Sequence, residues 1–180
     1  MGVSQTWSIR IFSKRVILLE IRSEAVQDQG VMRQEKYLSP SRITTEYWIY
    51  ADGLGEGCYQ DGQTYVGKWL IFVPLESVDE MWGKIRQATL TGQLGIAAKV
   101  STGRPSGYKS QDHVICVYTH DFRDKANVGE ILKRLREIGI TGKLYYKSDQ
   151  ATLNGVYTME APFTKVRGRA SMYSSDDFKF

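Results

Sequence analysis

Residues 67–147 read GKWLIFVPLESVDEMWGKIRQATLTGQLGIAAKVSTGRPSGYKSQDHVICVYTHDFRDKANVGEILKRLREIGITGKLYYK, and how this stretch divides decides the fold. KWLIFV (68–73) is apolar, branched and aromatic, the composition of a strand. ESVDEMWGKIRQATLTG then places Val78, Met81, Trp82, Ile85 and Ala88 on one helical stripe, with a Ser77/Glu80 capping box expected to start the helix and Gly92 to stop it. AAKVST (97–102) and HVICVYT (113–119) are two further strands on either side of the turn-rich TGRPSGYKSQD. A second helix is expected over 125–138, with Val128, Ile131, Leu132, Leu135 and Ile138 facing inward, Asp124 as N-cap and Gly139 as stop. GKLYYK (142–147) is the fourth strand. Strand, helix, strand, strand, helix, strand is a split βαβ sandwich, an α+β fold whose mainly antiparallel sheet carries both helices on one face.

Outward from this core the signals weaken. ITTEYWIYA (43–51) reads as a strand, and WSIRIFSKRVILLEIR (7–22) as extended, whereas 23–43 is polar without a clear period. Glycines at 53, 55, 57, 62 and 67 make the link between them and the core a loop. The expected organisation is one unit: N-terminal strands and Gly-rich loop (1–64) joining the same sheet, a βαββαβ core (65–157) and an irregular C-terminal tail (158–180).

Composition agrees with a globular chain. Of 180 residues, 42% are hydrophobic and 24% charged, which excludes collagen, coiled coil and wholesale disorder. A net charge of +4 is too mild to identify a nucleic-acid binder unless the charge is concentrated on one surface. Cys58 and Cys116 lack any CxxC spacing and are too few for a disulfide framework, so a reducing, cytoplasmic setting is expected. Nothing near Met1 resembles a signal peptide, and no apolar run is long enough to span a membrane.

Strand alternation divides each core strand between two faces. The more apolar set belongs under the helices: Trp69, Ile71 and Val73; Ala98 and Val100; Ile115 and Val117; Leu144 and Tyr146. The other set then shares the opposite, open face: Lys68, Leu70 and Phe72; Lys99 and Ser101; Cys116, Tyr118 and His120; Lys143, Tyr145 and Lys147. A lysine on a central strand costs several kcal/mol of desolvation unless an anion meets it, so this face reads as prepared for a phosphate ester. Lys68, Tyr118, Lys143 and Lys147, with Arg104 from the loop after the second core strand, are the phosphate-binding candidates. The bland alternative is that these lysines snorkel into water at an exposed edge.

Other constellations carry less. His113, Cys116 and His120 do not make a metal site, because alternation turns His113 away from the other two, and no metal or cofactor is expected. There is no GxSxG turn and no GxxxxGK[ST] loop, and DGLGEG does not lie between a strand and a helix. Trp48, beside Tyr47 and Tyr50, and Trp69 are candidate platforms for stacking a nucleobase; Trp82, mid-stripe, belongs to the core. The basic Lys165, Arg167 and Arg169 read as solvated charge.

The run GKWLIFV, VDEMWGKI, GQLGIAAKVST, DHVICVYTHDFRD and LREIGITGKLYYKSD resembles the family named after the basophilic-leukaemia-expressed protein, over about residues 65–157. The resemblance implies the fold of the eukaryotic mRNA-cap-binding initiation factor. It also implies a phosphothreonine-lyase-like activity, since bacterial members are classed with such enzymes. Against the lyase pattern, Lys68 stands at the first lysine, Lys99 at the proton-abstracting lysine and Tyr118 at the tyrosine. His120 replaces the phosphate-binding lysine, and Leu70 occupies the place of the general-acid histidine. In the enzymatic reading Lys99 is the base, and His120 takes over protonation of the leaving phosphate.

Three functions stay open on these grounds: a protein binding a phosphorylated peptide or nucleotide on the basic face, with β-elimination of phosphate as its chemistry; a nucleotide or nucleic-acid binding module without catalysis, stacking a base on Trp48 or Trp69; and a protein-interaction adaptor using the sheet and residues 23–43.

Overall fold

The computed structural model describes residues 39–54, 64–105, 112–153 and 171–180. The strand expected over 7–22, most of the Gly-rich loop and the basic residues 165–169 lie outside them. Six strands form one antiparallel sheet: β1 (Trp48–Asp52), β2 (Gly67–Val73), β3 (Ala97–Ser101), β4 (His113–Thr119), β5 (Tyr145–Ser148) and β6 (Tyr173–Ser174), in the spatial order β1-β3-β4-β2-β5-β6. The helices are α1 (Leu75–Leu90), α2 (Lys125–Glu137) and the single turn α3 (Asp149–Leu153). The four core strands stand in the order β3-β4-β2-β5, the split βαβ arrangement the sequence predicts.

Strand phase is as expected. Trp69, Ile71, Val73, Ala98, Val100, Ile115, Val117, Leu144 and Tyr146 all enter one core with Val78, Trp82, Ile85 and Ala88 of α1 and Val128, Ile131, Leu132 and Leu135 of α2. The indole N–H of Trp69 donates to the Val128 carbonyl at 3.1 Å, fastening β2 to α2. Asp124 caps α2 by accepting from the Asn127 N–H at 3.0 Å. Gly92 (φ 72°) and Gly139 (φ 98°) supply the left-handed conformation just past the two helix ends, which a residue with a Cβ adopts only at a cost.

Two expectations need correction, and one segment without a clear period has a definite place at its end. The Ser77/Glu80 capping box does not form: α1 begins at Leu75, directly after Pro74, whose fixed φ and missing N–H end the strand, while Glu80 pairs with Lys84 one turn on. The polar 23–43 stretch ends in fixed structure, since the backbone N–H and hydroxyl of Ser41 both bond the Asp79 carboxylate on α1 and Ile43 is in the core. The end of the chain is not a loose tail. Tyr173 and Ser174 pair with β5, and Phe178 meets the Trp69 ring edge-on at 5.7 Å.

Candidate functional site

Register assembles the face opposite α1 and α2 row by row. Tyr118 on β4 is level with Ala97 on β3 and Lys68 on β2; Asp52 stands beyond Ala97, and Lys147 beyond Lys68. The next row on this face holds Tyr50, Lys99, Cys116, Leu70 and Tyr145. A third sets Trp48 beside Ser101. Lys68, Lys99, Tyr118 and Lys147 thus share one surface, as their phase requires.

That surface is not uniformly open. Tyr118 is 0% exposed, Lys68 and Cys116 3% each and Lys147 7%, so one half of it is interior. There the Lys68 ammonium meets the carboxylate of Asp149, the first residue of α3, in a buried ion pair. Lys147, beside Lys68 across the strand pair, has its pKa held below the ordinary lysine range, first by burial and then by the Lys68 charge. Burial pushes the Cys116 thiol up, and the nearby Lys99 and Lys68 offset only part of this.

The other half, at β1 and β3, is partly exposed at Trp48, Tyr50, Lys99 and Ser101. The Lys99 ammonium lies 4.5 Å from the centre of the Trp48 ring, 5.6 Å from that of Tyr118 and 5.9 Å from that of Tyr50. Tyr118 joins the two halves, since the Lys68 ammonium is also 5.3 Å from its ring. Past the end of β3, the Arg104 guanidinium stacks 4.0 Å over Tyr47, the neighbour of Trp48 in sequence, and donates to the Thr45 carbonyl.

Three expected site residues fall elsewhere. Trp69 is wholly buried under the helices, with its ring against Tyr146 and Phe178, and has no face to offer a base. Lys143 precedes β5, is exposed, and pairs with Asp176, which pushes its pKa up. It lies four positions before Lys147, roughly 13 Å along an extended chain. His120 is exposed beyond the end of β4. Lys99 is level with Cys116, so His120 stands four positions along the strand from it, again about 13 Å. Two residues of the face were missed by sequence reasoning, Asp149 and Asp52. For Asp149 the only signal was its position two residues after a buried lysine.

An antiparallel sheet with its long helices on one face has counterparts among solved structures. Schistosome eIF4E complexed with m7GpppA and 4E-BP is 16% identical, matching 83% of this chain and 80% of that one with a TM-score of 0.56. The schistosome protein complexed with m7GpppG and 4E-BP is 14% identical with the same coverage and TM-score. The fold class is therefore that of eIF4E. Within it, residues 58–154, more than half of the chain, match the family of Basophilic leukemia-expressed protein Bles03, and the chain belongs to that family. Among the described residues no helix is long and apolar enough to cross a membrane.

Proposed function

We propose that this protein is a nucleotide-binding module that holds its ligand at the β1–β3 end of the sheet, without catalysis. The observation that carries the reading is the Lys99 ammonium 4.5 Å from the Trp48 ring on the partly exposed half of the face. A flat aromatic surface beside fixed positive charge suits a base attached to phosphates. Trp48 stacks the base, while Lys99 and Arg104 take the phosphates. Lys68 and Lys147 lie behind them in the buried half, and there the anion that sequence logic demanded for Lys68 is supplied by Asp149. The fold likeness supports the reading, since the schistosome structures hold m7GpppA and m7GpppG.

Titration with GpppG, followed by tryptophan fluorescence and calorimetry, tests it. In a Trp7→Phe background quenching is expected and is lost when Trp48→Leu is added, because the two remaining tryptophans, Trp69 and Trp82, are both fully buried. Absence of heat and of quenching at millimolar nucleotide would sink the proposal. A phosphothreonine peptide incubated in the same buffer is expected to keep its mass; loss of phosphoric acid would restore the lyase reading.

A further inference from the structure

We infer that the site selects nucleotides with an uncharged base and rejects those whose base is itself a cation, such as 7-methylguanine. This rests on the nucleotide reading above and adds the ligand's charge. The negative faces of aromatic rings attract a positive ring or ammonium group, and a pair of rings with no cation of its own favours a methylated, positively charged base. Here that attraction is already occupied. Lys99 sends its ammonium group among Trp48, Tyr50 and Tyr118, with all three ring centres within 5.9 Å. A cationic base brought to Trp48 shares the ring's quadrupole with Lys99 and meets a like charge across the ring in a partly desolvated setting. A neutral base stacks on the same ring without that conflict, and its phosphates gain from the same ammonium. Lys99 thus has two opposite effects on a methylated cap, attracting the phosphates and repelling the base. Only the first applies to the unmethylated compound.

GpppG and m7GpppG differ in this charge and one methyl group, so their ratio of affinities is the measurement. Titrations at mildly acidic pH keep the N1 proton on the methylated base and hence its full charge. The wild type is expected to bind GpppG about tenfold tighter, the size of one well-placed cation–π contact. Lys99→Met keeps an unbranched side chain on the indole and removes the charge; it should weaken both ligands and bring the ratio to one or invert it. Lys99→Arg should preserve the preference. Raising the pH through deprotonation of the methylated base should shrink the preference for GpppG in the wild type, whereas in Lys99→Met it should only move any preference for m7GpppG back toward one, a response that a merely structural lysine would not give. If m7GpppG binds the wild type as tightly as GpppG, or if Lys99→Met leaves the ratio where it was, the selectivity is overturned and nucleotide binding stands. If neither compound binds, the nucleotide reading falls and the selectivity falls with it.

Discussion

The Lys68–Asp149 pair shows how one misassigned partner changes the meaning of a residue. Both groups are buried, so each has given up water for the other. Removing one leaves an uncompensated charge, whereas removing both leaves little. Asp149→Ala is expected to cost about 3–5 kcal/mol in denaturant unfolding. Lys68→Met should cost less, because Asp149 can relax toward protonation, and the double variant should be more stable than Asp149→Ala alone. Equal, additive losses in this cycle would mean that the pair is not coupled. Lys147 supplies a pH signature. Its pKa is lowered in the folded protein from an ordinary 10.5, so between the depressed value and 10.5 the unfolded chain holds the extra proton. Stability therefore rises with pH through that window. Urea melts at pH 7 and pH 10 should show the wild type gaining on Lys147→Met as pH rises; a constant difference would deny the shift.

At the scale of elements, α2 is built to receive the end of the chain. A Cβ on Gly129 would lie 2.8 Å from Cδ1 of Phe178, so the glycine is the seat of that ring. Alanine within a helix is ordinarily favoured over glycine by about 1 kcal/mol. Gly129→Ala is nevertheless expected to destabilise the wild type by displacing Phe178, and to be neutral or stabilising in a Phe178→Ala background. Thermal unfolding of the four proteins checks the sign change, and destabilisation in both backgrounds would show that Phe178 is not the obstacle. This docking was illegible in the sequence, because a two-residue strand is too short to show alternation and SMYSSDDF is polar enough to read as solvated. α3 was hidden likewise, since five residues do not complete a helical period. The long elements were legible. β2, β4, α1 and α2 each carry enough apolar residues at the right spacing to fix both their type and their buried side.

For the whole molecule, the same spacing fixed which lysines share a face, but not how deep each lies. Periodicity speaks of direction alone. Lys68 and Lys99 have the same phase, yet one is sealed against Asp149 and the other stands partly exposed among aromatic rings. The candidate site is accordingly narrower than the sequence implied, with Lys99, Trp48 and Arg104 at one end and a charged interior behind. A difference of three residues in where β5 was expected to begin also moved Lys143 from the floor to the rim.

Cys116 has a practical use that follows from its place in the middle row of the sheet. A thiol so enclosed, and so reluctant to ionise, reacts with a maleimide or disulfide reagent only when the strands around it part. In a Cys58→Ser background the protein therefore carries its own chemical stopwatch, whose rate counts openings of the sheet.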